Sequence, residues 1–127
     1  MLGDFGCAIT RHDLNTAKNE PACREFGTMS FQPPENYLDK KNGGIRGAYG
    51  KPTDVWQMGA VAQVLCRATE VPDQKLADLG VPCGEGYTPG LNRAVTLLMH
   101  RDMMKRPRAV DLVPAVREMV ESHNLVF

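Results

Sequence analysis

The chain has 127 residues, of which 43% are hydrophobic and 24% are charged. This length and composition suit one globular domain and exclude fibrous, collagen-like and strongly disordered chains. The 15 basic residues balance the 15 acidic ones, so no net charge attracts the chain to nucleic acid or to an anionic membrane.

The cysteines favour an intracellular, reducing environment. They are widely spaced and form no C-x-x-C pair: Cys7, Cys23, Cys66 and Cys83. Neither a zinc site nor a redox motif is indicated, and reduced thiols are typical of the cytoplasm or nucleus. The longest apolar run, near residues 60–66, is too short to cross a bilayer, and residues 1–10 lack the apolar core of a signal peptide.

The first part of the chain, up to about Thr53, is polar and irregular. Residues 32–52 contain three prolines and four glycines, so apart from one helical turn after Pro34 they are predicted to form a loop.

The segment that follows is strongly apolar. From Val55 to Cys66 only two glutamines are strongly polar, and a helix that is apolar on nearly every side must be buried on nearly every side. Thr53 or Asp54 can cap its start, just after the helix-breaking Pro52.

The rest of the chain is predicted to be a loop followed by helices. Prolines and glycines interrupt residues 71–90, with room for one short helix near residues 73–79. Leucine, valine and methionine then recur at helical spacing from Leu91 to Met99, and a second helical pattern runs from about Ala109 to Ser122, with a kink or restart at Pro114. The fold class is therefore mainly α.

Four short stretches carry the functional signal. They are Asp4-Phe5-Gly6, "GTMSFQPPE" from Gly27 to Glu35, "DVWQMG" from Asp54 to Gly59, and Arg106-Pro107 preceded by "HRDMMK". Their order and separations resemble those of a protein kinase, from Leu2 to about Ser122. Gly27-Thr28 with Phe31 resembles the serine/threonine group in particular.

This resemblance implies the second half of a kinase C-lobe, with the N-lobe absent. It divides the chain into an activation segment (4–35), a loop or insert (36–53), a buried helix (54–68), a loop with a short helix (71–90) and C-terminal helices (91–122). Everything before Asp4-Phe5-Gly6 is expected to be lost or not included, as in a truncated gene product. Because the helix at 54–68 then lacks its usual neighbours, we expect exposed apolar surface and a loose or aggregating chain.

The resemblance also assigns roles to single residues. Asp4 would bind the magnesium of MgATP in the complete kinase, Phe5 would pack into an apolar stack, with Gly6 completing the motif, and Thr28 would face the substrate. Of the remaining residues, Glu35 and Arg106 would form a buried ion pair, and Asp54 would accept hydrogen bonds from the backbone of the catalytic loop.

The chain departs from the kinase pattern in several places. It contains no Gly-rich loop, no lysine paired to a helix glutamate and no catalytic loop, so the chain alone is expected to be inactive and to bind no cofactor. "RHDLNTAKN", from Arg11 to Asn19, resembles the catalytic-loop pattern H-R-D-L-x-x-x-N. Its first two letters are exchanged, however, its asparagine falls one place late, and it follows Asp4 instead of preceding it. Asp13 is therefore interpreted as a loop residue. Arg24 stands where many kinases carry a phosphorylated residue, so regulation by phosphate there is doubtful.

Each role has a simpler alternative. Asp4 could be a turn aspartate, Glu35 and Arg106 two solvated charges, Asp54 a helix cap and Thr28 a loop hydroxyl. For the whole chain, the leading hypothesis is a fragment of a Ser/Thr protein kinase that acts on protein substrates. The alternative is a truncated, pseudokinase-like module that binds a substrate or regulatory protein without catalysis.

Overall fold

The computed structural model describes residue 3, residues 29–36 and residues 50–122. Within these residues the protein is mainly helical and has no β-strand. The α-helices whose bounds lie within these residues are α1 (Lys51–Arg67), α2 (Gln74–Asp78), α3 (Pro89–Leu98) and α4 (Ala109–Ser122), and short 3-10 helices span Met29–Phe31 and Met103–Lys105.

Helix α1 begins three residues before the predicted start at 54. Gly50 is the N-cap in an extended conformation, Pro52 lies in the first turn, and the Thr53 hydroxyl accepts a hydrogen bond from the Gly50 N–H at 3.1 Å. The prediction that Thr53 or Asp54 would be the cap residue is wrong, because proline is tolerated in the first helical turn, where its missing N–H has no intrahelical partner to lose. The helix ends at Arg67, and its C-cap Ala68 has a left-handed φ of 52°.

The core lies where α1 crosses α3. Trp56 and Ala60 of α1 pack with Val95 and Met99, together with Ala77 of α2 and Cys83 of the connecting loop. Small residues on α1 allow this close approach: a Cβ built on Gly59 would lie 2.7 Å from Met99 Cγ and 2.8 Å from Leu98 Cβ.

We expect Gly59→Ala to lower the free energy of unfolding by about 1–3 kcal/mol, because the new methyl group overpacks the α1–α3 contact and outweighs alanine's better helix propensity. Gly86→Ala is the matched control, since nothing lies within 4 Å of the Cβ that it adds. Thermal or urea unfolding of both variants measures the difference. A Gly59→Ala protein as stable as the Gly86→Ala protein would show that this contact is loose.

The polar side chains of half-buried Gln74 and buried Asn92 attach α2 and the loop to the core. Gln74 accepts a hydrogen bond from Trp56 Nε1 at 2.8 Å and donates to the Met99 carbonyl at 2.8 Å. Asn92 of α3 accepts from the Cys83 N–H at 2.9 Å and donates to the Gly84 carbonyl at 3.0 Å. These bonds satisfy loop backbone groups that burial would otherwise leave without partners.

Helices α1 and α4 each present three apolar side chains to solvent. On α1, Met58, Val61 and Leu65 are exposed, and on α4 Val110, Val113 and Val116 are exposed. Helix α4 is assigned as continuous through Pro114, the predicted kink or restart. In the part of the chain that the structure describes, no helix is long and apolar enough to span a membrane.

Candidate functional site

Glu35 and Arg106, which lie 71 positions apart in the sequence, form a bidentate ion pair. Arg106 Nη1 donates to Glu35 Oε1 at 2.7 Å, and Arg106 Nη2 donates to Glu35 Oε2 at 2.8 Å. The Arg106 side chain is fully buried and that of Glu35 is 16% exposed. This parallel geometry is the strong form of a guanidinium–carboxylate interaction.

Two backbone carbonyls complete the surroundings of the guanidinium. Arg106 Nε donates to the His100 carbonyl at 2.8 Å, and Nη1 also donates to the Pro52 carbonyl at 3.0 Å. The side chain therefore uses four of its five N–H donors, as a buried cation requires if its desolvation is to be offset. Through these bonds Arg106 joins three segments: the one ending at Glu35, the start of α1, and the turn after α3.

Local structure holds each partner of the pair in place. Arg106 follows the 3-10 helix Met103–Lys105, which is capped by Asp102 accepting from the Met104 N–H at 2.9 Å. Glu35 lies in a helical turn of residues 34–36. The segment before that turn is attached to α1, because Gln57 Nε2 donates to the Phe31 carbonyl at 3.1 Å.

Asp54 lies in the first turn of α1 and is exposed. Neighbouring protein atoms partly desolvate its carboxyl group and raise the pKa above the usual aspartate value. Among the residues that the structure describes, its side chain forms no hydrogen bond or ion pair.

We expect Asp54→Asn to stabilise this chain slightly at neutral pH. The pKa of Asp54 is higher in the folded than in the unfolded chain, so protonation of this residue favours folding. This contribution to the free energy of unfolding is complete below the unfolded-state pKa and is lost as pH rises through the folded-state pKa. The variant should therefore be more stable than the native chain at pH 7 and equal to it at low pH, where the aspartate is neutral. Urea unfolding of both proteins across this pH range provides the measurement. A stability difference between Asp54→Asn and the native chain that is equal at every pH would contradict the raised pKa of Asp54.

The other predicted site residues lie outside the described part of the chain. They are Asp4, Phe5, Gly6 and Thr28, and Asp13 of the catalytic-loop look-alike lies there as well. Within residues 29–36 and 50–122 no group of three or more His, Cys, Asp or Glu side chains is placed to hold a metal ion.

Cys66 and Cys83 are free thiols in contact with the same core cluster. Burial and a hydrogen bond with Cys66 raise the pKa of Cys83 to about 12. Cys83 is therefore protonated at neutral pH and is a poor nucleophile or metal ligand in this environment.

Sequence reasoning missed the buried amide of Gln63, which attaches the segment after α1 to that helix. Gln63, fully buried, donates from Nε2 to the Asp73 carbonyl at 2.9 Å and accepts from the Asp73 N–H at 2.7 Å. The available signal was a polar residue within an otherwise apolar helix, which indicates a buried hydrogen-bonding role without identifying the partner.

Comparisons of the chain with protein-family models, with curated proteins and with solved structures gave no match.

Proposed function

We propose that this chain is part of the C-terminal lobe of a Ser/Thr protein kinase, whose complete form transfers the γ-phosphate of MgATP to serine or threonine hydroxyls of protein substrates. The observation that carries the proposal is the Glu35–Arg106 ion pair. The motif resemblance selects these two residues, and the described structure joins them in bidentate geometry.

The environment of the pair supports this interpretation over two solvated charges. Solvated charges on a surface gain little from each other and need no further partners. Arg106 is instead fully buried and bonded to carbonyls on two other segments. Such a pair anchors the segment ending at Glu35 to the helical body, which is the role that the resemblance implies for the end of an activation segment.

This anchoring matters for phosphoryl transfer because the chemistry depends on positioning and electrostatic stabilisation. In the proposed kinase, the segment from Asp4 to Glu35 carries the magnesium ligand Asp4 near one end and the substrate-facing Thr28 near the other. Fixing Glu35 fixes one end of that segment relative to the helices. In the complete kinase Asp4 would hold the magnesium of MgATP, which would supply charge neutralisation at the transferred phosphate.

Asp54 provides a second test of the proposal. The resemblance implies that this carboxylate accepts backbone hydrogen bonds from a catalytic loop, and the chain has no such loop. In the complete kinase those donors would stabilise the ionised form. Asp54→Asn should then destabilise the longer protein, the reverse of its expected effect on this chain.

A second candidate is a pseudokinase-like module that binds a protein without catalysis. The row of exposed valines on α4, Val110, Val113 and Val116, favours this alternative, because one apolar helix face is suited to packing against a partner. It would use the same anchored fold and would not require Asp4 to bind magnesium.

The transcript sequence upstream of residue 1 separates the two candidates. The kinase proposal predicts an in-frame H-R-D-x-x-x-x-N catalytic loop, a lysine on a strand and a Gly-rich loop before it. An open reading frame that begins at residue 1, or an upstream segment without these motifs, would contradict the kinase proposal and favour the binding module.

A further inference from the structure

Cys66 and Cys83 lie on separate elements, and the fold brings them together. Cys66 is in the last turn of α1, and Cys83 is in the loop that leads to α3. Buried Cys83 belongs to the core cluster, half-buried Cys66 packs against that cluster, and the two free thiols share a hydrogen bond. The sequence has no C-x-x-C motif, so this pair is a property of the folded chain.

The loop that carries Cys83 is held against the end of α1 by contacts that do not involve the thiols. The Tyr87 hydroxyl donates to the Cys66 carbonyl at 3.1 Å. A Cβ built on Gly84 would lie 3.4 Å from Arg67 Nη1. The backbone on the C-terminal side of Cys83 therefore lies beside the last two residues of α1.

Asn92 of α3 fixes the backbone at Cys83 itself. The Asn92 side-chain carbonyl accepts from the Cys83 N–H at 2.9 Å, and its amide group donates to the Gly84 carbonyl at 3.0 Å. A disulfide forms between cysteines whose backbones already lie close together and whose side chains point towards each other. The contacts of the loop with α1 meet the first condition, and the hydrogen bond between the thiols meets the second.

The two thiols differ in reactivity. Burial, followed by the hydrogen bond with Cys66, raises the pKa of Cys83 to about 12, so this thiol is protonated at neutral pH. Cys66 is less buried and is more accessible to a reagent in solution. The nearby Arg67 guanidinium favours negative charge on the pair. Cys66 is therefore the thiol that reacts first.

We propose that Cys66 and Cys83 form a reversible disulfide, an oxidation-sensitive lock that joins the end of α1 to the loop before α3. The oxidant is a low-molecular-weight disulfide such as glutathione disulfide. In a reducing compartment such a bond forms transiently, as in redox-sensing proteins. The lock does not depend on the proposed kinase activity, because it involves neither MgATP nor the Glu35–Arg106 pair.

The reaction has two thiol–disulfide exchanges. The Cys66 thiolate attacks one sulfur of glutathione disulfide, and the other glutathione leaves as a thiolate that takes up the proton lost by Cys66. The Cys83 sulfur then attacks Cys66 Sγ and loses its proton, and the second glutathione leaves and is protonated. The protein loses two electrons and two protons, and glutathione disulfide gains them. The second attack is intramolecular, so proximity offsets the weak nucleophilicity of Cys83.

The test treats the full chain with glutathione disulfide in native buffer, blocks the remaining thiols and maps the products by trypsin digestion and mass spectrometry. We expect the chain to lose two hydrogens, with tryptic peptides 47–67 and 76–93 linked, and dithiothreitol to reverse the change. In concentrated urea the same linkage should form at least about tenfold more slowly, because unfolding separates the two thiols.

Cysteine variants locate the bond. Cys66→Ser and Cys83→Ala should each abolish the linkage, whereas the double variant Cys7→Ser with Cys23→Ser should retain it. In that double variant the oxidised chain should unfold at a higher urea concentration than the reduced chain, because the cross-link restricts the unfolded state. The double variant carries the test alone if either single variant fails to fold.

Three results would overturn the proposal. The first is a reaction that stops at a glutathione adduct or links Cys66 or Cys83 to other cysteines instead. The second is a linkage that forms as fast in urea as in native buffer. The third is an oxidised double variant that is no more stable to urea than its reduced form.

Discussion

Removing either partner of the Glu35–Arg106 pair should lower the free energy of unfolding by about 3–5 kcal/mol. The reason is the burial of Arg106, whose side chain is fully inaccessible to solvent. Glu35→Ala leaves a buried guanidinium without its counter-charge, and Arg106→Ala leaves the Glu35 carboxylate and two backbone carbonyls without their donors. The double variant should lose less than the sum of the single variants, because each single variant already loses the interaction.

A double-mutant cycle by urea unfolding measures this coupling, and the chain contains its own control. Arg101 and Asp78 also form a short ion pair, at 2.6 Å, but their side chains are 56% and 36% exposed. The same cycle at Arg101→Ala and Asp78→Ala should give a coupling below about 1 kcal/mol, because solvent screens an exposed pair. Small additive effects at Glu35 and Arg106 would mean that the pair does not anchor the segment before α1.

The chain alone should transfer no phosphate. Under the proposal Asp4 would offer magnesium one carboxylate. Because magnesium loses its waters reluctantly, the ion would gain little without phosphates held by a Gly-rich loop and a lysine. Kinases turn over at about 1–100 per second by positioning and charge stabilisation, and without these parts nearly all of that advantage is lost. Incubation of purified chain with labelled MgATP and a generic protein substrate should give background counts. Transfer that disappears in the Asp4→Ala variant would contradict this prediction and would require a phosphate site in the chain as it stands.

The helices could be predicted because each has a local signal. Leu91, Val95 and Leu98 recur at helical spacing, and α3 spans Pro89–Leu98. The start of α1 was misplaced because Pro52 was interpreted as a helix breaker, although proline inside the first turn is compatible with a helix. The short helix near 73–79 was also predicted, and α2 occupies Gln74–Asp78.

The surroundings of the candidate site could be predicted only in part. The link between Glu35 and Arg106 came from the resemblance to kinases, because no local pattern relates two charges 71 residues apart. The partners of Gln63 could not be predicted, since a glutamine in an apolar helix does not indicate which loop it will meet.

The exposed face of α1 has a physical explanation under the kinase proposal. Met58, Val61 and Leu65 lie on this helix and are accessible to solvent, whereas a helix this apolar is expected to be buried nearly all round. In a complete lobe, preceding helices would cover that face. Aggregation of the isolated chain, and binding of an apolar dye, remain predictions that follow from this exposure.

The most direct test of the kinase proposal is phosphate transfer from labelled MgATP by the longer protein that the proposal expects the transcript to encode. Three proteins should be compared: the native sequence, Asp4→Ala, and the control Asp13→Ala, which changes the look-alike of a catalytic loop. The proposal predicts transfer to serine or threonine by the native and Asp13→Ala proteins and background counts for Asp4→Ala. Background counts from the native protein, or full activity in Asp4→Ala, would contradict it.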